Sequence, residues 1–258
     1  MGKKRTANLF LKQLTALLEP RLSADTRLHP FIDTLQRARK AGLGKSPKRR
    51  DEDGAAARTA LDTMVAGSVR AGETIRDMLG DVAPALDWYD CYPDHPDPAL
   101  ARALVAAHVV GSLGIVRHPE ALAGLFFIDA NIDYPLHDHR SNELYVVLSG
   151  DVDIALGFGT DTVSHAPGSY AVVPPGTPHQ LRTGSKPVLL AFIWTGEIKC
   201  PVHWWHEAEP GVWQRTLPPR AMYDASTEEM VGAQDILPTG LDHPNLGNAP
   251  PYPTRRPS

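Results

Sequence analysis

Cysteine is nearly absent. Cys91 and Cys200 are the only two in 258 residues. That excludes a disulfide framework, and neither lies in a C-x2-C pair suited to metal or redox chemistry. They read as thiols of a reducing compartment. Long apolar runs are also missing. No stretch reaches the roughly 20 residues that a membrane helix needs. No apolar core of about 7–15 residues succeeds the charged N-terminus, as a secretory leader would require. A cytoplasmic protein with no membrane partner is therefore expected. No internal repeat is visible.

Charge is scarce in total but uneven in placement. The net charge is −4, which by itself calls for no polyanionic partner. Residues 1–50 hold 13 Lys/Arg against 3 Asp/Glu, an excess of +10, and the remainder carries −14. The clusters Lys3-Lys4-Arg5 and Lys48-Arg49-Arg50 could touch nucleic acid or anionic lipid. No aromatic residues interleave them, and no helix-turn-helix pattern is convincing. A solvated helix face and a charged linker are the expected reading, with no nucleic-acid partner.

The hydrophobic share of 42% supports a sizeable core. Apolar spacing predicts a helix over Asn8–Leu22 (Leu9, Leu11, Leu14, Leu17, Leu18), a second over His29–Lys40, and a longer one over Ala55–Leu79 ending at Gly80. Residues 43–54 read as a polar linker. Ala85–Pro96, with Trp88, Tyr89, Cys91 and Tyr92, reads as an extended connector covering one face of a β-rich C-terminal part. Ala99–Leu113 is apolar enough for helix or strand. Beyond Gly111, strand-like segments dominate: Gly114–Arg117, Gly124–Ile128, Glu143–Leu148, Val152–Gly157, Tyr170–Val173 and Val188–Trp194. Short strands with Gly/Pro turns indicate a sandwich or barrel. Met222–Met230 reads as a short helix, and the proline-rich last 21 residues as an irregular tail.

One constellation carries chemistry. His137-x-His139-x3-Glu143-x-Tyr145 is followed by His179, forty residues after His139. Alternate residues of a strand share a face, so His137 projects with His139, and Glu143 with Tyr145. The rigid turn Pro174-Pro175-Gly176-Thr177-Pro178 offers His179 to the same interior. Three imidazoles and a carboxylate leave coordination positions open on a divalent ion, which suits reactivity rather than scaffolding. The nitrogen and oxygen donors fit Fe, Mn, Zn, Co or Ni, and the lack of thiolate argues against a structural zinc site.

The strings H-x-H-x3-E-x6-G (His137 to Gly150) and G-x5-P-x-G-x2-H (Gly168 to His179) resemble the paired motifs of the cupin superfamily. Asn131 stands where that pattern often has a glycine, and Thr183 where it often has asparagine. The longer string YPxHxHxxxExYxVLSG, followed by PPGxPH, resembles the cupin dimethylsulfoniopropionate (DMSP) lyases of marine bacteria. The helical N-terminal region, the segment Leu86-Asp87-Trp88-Tyr89 and Trp194 extend the likeness, which covers roughly residues 85–200. The resemblance implies a mainly β fold: a single cupin double-stranded β-helix (jelly-roll) barrel over 85–215, an N-terminal α-helical region over 1–84 and a C-terminal extension over 216–258. It implies cleavage of DMSP to dimethyl sulfide and acrylate, with His137, His139, Glu143 and His179 around the metal. Tyr145 would lie at or near the ion and Tyr134 would face the substrate. Cupins often dimerise through barrel edges, so a homodimer is compatible with it.

That reaction is a β-elimination, and its base must take a weakly acidic proton beside a carboxylate. A free phenol, pKa ~10, is not ionised at neutral pH, and a nearby divalent cation brings it down. The same ion can bind the substrate carboxylate. A sulfonium favours an aromatic wall. Trp194 is the first choice for it, with Trp88, Phe127 and Tyr170 as weaker ones. Which tyrosine takes the proton stays open at this level. So do two other readings, a different cupin metalloenzyme (a dioxygenase or isomerase) and a non-enzymatic binding cupin.

Overall fold

A computed structural model describes residues 2–44, 57–61, 64, 73–216, 223–224 and 229–230. Helix α1 spans Lys3–Leu18 and α2 spans His29–Ala38. The main body then has twelve strands: β1 (Tyr89–Asp90), β2 (Leu104–Val110), β3 (Ala121–Ile128), β4 (Asp133–Asp138), β5 (Ser141–Ser149), β6 (Val152–Leu156), β7 (Val163–His165), β8 (Tyr170–Val173), β9 (His179–Thr183), β10 (Val188–Gly196), β11 (His203–Glu209) and β12 (Val212–Thr216). They form two six-stranded antiparallel sheets, ordered β1-β2-β3-β10-β5-β8 and β12-β11-β4-β9-β6-β7. Chain neighbours alternate between the sheets from β3 onward to β6, as in a jelly roll. The mainly β barrel with N-terminal helices is the fold class expected.

Parity explains how the first sheet works. Val105, Ala107, Leu125, Phe127, Val146, Leu189 and Ala191 face one way and join Phe10, Leu11, Leu14, Leu18, Phe31 and Leu35 of the two helices in one apolar cluster. Their neighbours Leu104, Ala106, Phe126, Val147, Leu190 and Phe192 face the other way, into a second cluster with Ile154 and Leu181 of the opposite sheet. A sheet buried on both faces loses the polar–apolar alternation of a half-exposed strand. This is why Leu104–Val110 resists assignment from periodicity. Every residue of it is buried, and the helical half of the ambiguous segment is confined to Pro98–Ala103. Each fully buried Leu or Phe at this helix–sheet seam contributes about 1.5–3 kcal/mol.

Packing also moves the helix boundaries. Helix α1 starts at Lys3, ahead of the expected Asn8, because Thr6, Ala7 and Phe10 are buried on its inner stripe, while Leu9 and Leu17 only flank the cluster. The third helical pattern is described only at 57–61, 64 and from Glu73 on. There it runs past Gly80 as a π-helical turn, Met78–Val82, since Met78, Leu79 and Val82 are wholly buried. The segment Gly114–Arg117 is not a strand but makes isolated bridges at Val116. The expected helix at Met222–Met230 is overturned, because Tyr223–Asp224 pairs with Glu229–Met230 as antiparallel strand. The linker at 45–54 with its Lys48-Arg49-Arg50 cluster, and the proline-rich tail, lie outside the described residues. In the first basic cluster, Lys3 meets Asp87 at 3.4 Å in the open, a contact worth little. No helix among the described residues is long and apolar enough to cross a membrane.

Gly124 sets how closely β2 and β3 approach. A Cβ added there would stand 2.0 Å from the Ala107 carbonyl oxygen, a backbone atom that cannot swing away. Gly124→Ala is expected to destabilise the protein by about 1–3 kcal/mol or more. Denaturant unfolding checks this, and an unchanged midpoint would show that the strands can separate without cost.

Candidate active site and metal centre

The barrel interior collects the motif. Antiparallel register sets His137 opposite His179 across β4 and β9, and Glu143 opposite Trp194 across β5 and β10. His139 comes directly after β4, and its carbonyl accepts a 2.7 Å hydrogen bond from Gly176 N–H. This ties the proline-rich turn ahead of His179 to the histidine pair. Asn131, at the position where the motif often has glycine, has φ 57°, a left-handed conformation that asparagine tolerates better than most residues. Thr183 replaces the usual asparagine without loss. Its hydroxyl donates to Asp129 O at 2.6 Å and accepts from Ile132 N–H at 2.9 Å.

His139, Glu143 and His179 converge, with one donor atom of each lying within 4.8 Å of the others, and all three are buried. His139 Nε2 is 2.7 Å and His179 Nε2 3.4 Å from the same Glu143 oxygen, Oε2. The tautomers are legible from the hydrogen bonds. His179 Nδ1–H donates to Thr177 O at 2.9 Å and His137 Nδ1–H to Pro135 O at 2.8 Å. A carbonyl only accepts, so both rings carry their proton on Nδ1 when neutral, and each Nε2 keeps a lone pair, as in metal-ligating histidines. His179 Nε2 and His139 Nδ1 find no hydrogen-bond partner although buried, a costly state for polar atoms unless something else engages them. His137 stands outside the tight triplet. Its ring centroid is 3.9 Å from that of His179 and 6.3 Å from that of His139.

Electrostatics agree with a cation site. Burial pushes the Glu143 carboxyl up, but the imidazoles of His139 and His179 outweigh it and hold the acid well below the usual carboxylate range. Burial, with His179 and His139 nearby, holds His137 well below its ordinary value, so it is neutral at pH 7. Imidazoles and one carboxylate, all buried, are a donor set that fits a divalent metal.

The aromatic candidates separate by face. Tyr145 lies two residues past Glu143 on β5. Its ring lies 6.1 Å from that of His179, and burial plus the hydrogen-bonded Glu143 charge push its phenol well above 10. Tyr134 stacks on His137 with centroids 4.2 Å apart, and burial raises its phenol too. Trp194 lies against His139 at 4.1 Å and 32°, with its indole Nε1 buried and unpartnered. The weaker choices fail on parity. Trp88, Phe127 and Tyr170 all belong to the helix-side cluster. Trp88 Nε1–H donates to Ala83 O and the Tyr170 hydroxyl to Asp25, so none of the three lines the interior.

Three interior residues escaped the sequence reading. Tyr92 and Trp204 join the barrel cluster, and His108 meets Tyr89 with Nε2 2.7 Å from the phenol oxygen. The pair Trp204-Trp205 divides between the two faces of β11. Strand alternation sends Trp204 inward beside Tyr134, at 6.3 Å, while Trp205 packs with Phe158 and Arg215. Alternation across β11 was the available signal. His203, one residue before Trp204, is 3.3 Å from Asp138. Cys91 and Cys200 form no disulfide.

Known proteins fit this picture. A crystal structure of the DMSP lyase DddQ from Ruegeria pomeroyi superposes with a TM-score of 0.55 at 17% identity, covering 74% of this chain and 94% of that one. A structure of the DMSP lyases RdDddP and RnDddQII gives 0.54 at 19% identity, covering 76% and 94%. At these identities the likeness is one of fold, the cupin barrel. In sequence, the chain is 28% identical over 102 residues to the DMSP lyase DddQ of Ruegeria pomeroyi, 39% of this chain and 50% of that protein. The chain thus spans about half the length of that curated relative. The DMSP lyase family model matches residues 34–190, a span holding most of the helix-covered sheet and every candidate ligand, and by that match the chain belongs to the dimethylsulfoniopropionate lyase family.

Proposed function

We propose that this protein is a metal-dependent carbon–sulfur lyase that cleaves DMSP to dimethyl sulfide and acrylate by a tyrosine-initiated β-elimination. The observation that carries this reading is the buried convergence of His139, Glu143 and His179 with the Tyr145 phenol on the Glu143 carboxylate. His137, His139, Glu143 and His179 would hold the ion, His137 completing the set from its place against His179. A bound divalent cation supplies positive charge that offsets the burial of a neighbouring phenol and a Lewis acid for the substrate carboxylate.

The chain's own residues do the rest. Tyr145, ionised, takes the proton from the carbon next to the substrate carboxylate. The electrons of that C–H bond form the C=C bond of acrylate, and the C–S bond breaks with its pair going to sulfur. Dimethyl sulfide leaves as a neutral molecule, so little acid assistance is needed. The proton on Tyr145 passes to solvent before the next turnover. Tyr134 faces the substrate from its stack on His137. Trp194 offers an aromatic surface for the sulfonium, worth roughly 1–2 kcal/mol when desolvated. The barrel wall excludes water, which strengthens each of these interactions.

Headspace measurement of dimethyl sulfide, with acrylate monitored in solution, tests the reading on protein loaded in turn with Fe, Mn, Zn, Co and Ni. Release is expected with at least one of them and none after strong chelation. If no metal supports acrylate formation, the substrate assignment falls.

A further inference from the structure

Tyr92 reaches the site from outside the metal motif. It lies two residues past β1, and its backbone is pinned on both sides. Cys91 N–H donates to Leu104 O at 2.7 Å, prolonging the β1–β2 ladder, and His95 N–H donates to Tyr92 O at 3.0 Å. The Tyr92 ring meets Trp204 at 5.1 Å in an edge contact. Its hydroxyl is 3.0 Å from the hydroxyl of Tyr134, and both residues are buried.

Tyr134 is therefore fixed at two points. Its ring is held against His137, with Phe126 on another side at 5.7 Å. Its oxygen is held by Tyr92. The one polar freedom of a phenol is rotation about its C–O bond, and a hydrogen bond in either sense removes it. Stability alone does not call for such a pair. A buried pair of hydroxyls can be exchanged for two phenylalanines at small net cost, whereas removing one takes a partner from the other. What the pair provides is direction. Tyr92 occupies one side of the Tyr134 oxygen and leaves its remaining hydrogen-bonding capacity for a further partner. Resting on the elimination reading, in which Tyr134 faces substrate, we propose that Tyr92 is a positioning residue that orients the Tyr134 hydroxyl for that substrate.

The test uses the metal-loaded full chain as wild type, Tyr92→Phe, Tyr134→Phe and the double variant. Phenylalanine keeps the ring on Trp204 and deletes only the hydroxyl. Tyr92→Phe is expected to lower kcat for DMSP about tenfold, with KM within about twofold and metal content unchanged. The double variant should be no slower than Tyr134→Phe alone, since the two hydroxyls act as one unit. If the wild type is active and Tyr92→Phe matches it, or if the two losses multiply, the positioning role is overturned. A wild type inactive with every metal sinks the lyase reading instead. The couple is then decided by NMR of protein labelled with 13C at tyrosine Cζ, with the Tyr134 signal assigned from Tyr134→Phe. A displaced Tyr134 resonance in Tyr92→Phe supports the orienting contact, and an unmoved one overturns it.

Discussion

Replacing Tyr145 with phenylalanine should abolish most turnover, by about a hundred- to ten-thousand-fold, while leaving metal content intact. The magnitude is that of losing a positioned general base. The ring can stay, because it sits in the barrel cluster and not in the ligand triplet. The hydroxyl lies against Glu143, where burial and the carboxylate charge push its proton affinity up. Without added positive charge, Tyr145 would be a phenol at any physiological pH and useless as a base. The same residue thus depends on the ion for activity while the ion does not depend on it. That asymmetry is what the variant measures. Near-normal rates of dimethyl sulfide release from Tyr145→Phe would remove it from the proton-transfer step and pass the role to another group, Tyr134 being the nearest candidate by chemistry.

Much of this site was legible in one dimension because strands are simple. The period of two places Glu143 and Tyr145 on one face wherever β5 sits, and the proline-rich turn delivers His179 whatever sheet it joins. Two antiparallel sheets realise both. What the spacing could not decide was parity relative to a second covering layer. Phe127 and Tyr170 are as apolar or aromatic as any barrel residue, yet face α1 and α2 or their connections, because helices bury the outer side of the first sheet. The same double burial blurred Leu104–Val110. Tyr92 and Trp204 were missed for a different reason. Tyr92 follows β1, an edge strand of the first sheet, and Trp204 lies on β11, which pairs with β4 in the second, and nothing local in the chain joins either of them to Tyr134. The helix at Met222–Met230 failed because a short polar segment carries too little periodicity to choose between helix and strand.

Removing one ligand charge should uncouple metal from stability. Wild-type protein stripped by a chelator and then titrated with a metal is expected to gain about 2.7 kcal/mol of unfolding free energy at a hundredfold excess over Kd. Glu143→Gln keeps the shape but loses the charge that both His139 and His179 face within 3.4 Å. Its metal affinity should fall by more than the roughly 10–100-fold typical for loss of a residue that only supports a ligand, and most of the stabilising shift should vanish at the same metal concentration. The pH dependence points the same way. His137 is held well below its ordinary value, while an unfolded histidine titrates near ~6.5. The folded apo chain binds fewer protons than the unfolded one just below that pH, so its stability is complete above about 6.5 and falls as pH drops towards the folded value. A bound metal adds competition with protons for the same Nε2 atoms, and should steepen that loss. Thermal unfolding across pH, with and without metal, checks both parts. If Glu143→Gln gained as much from metal as the wild type, the carboxylate would not be a ligand, and Tyr145 would lose the charged neighbour around which its role as a base is built.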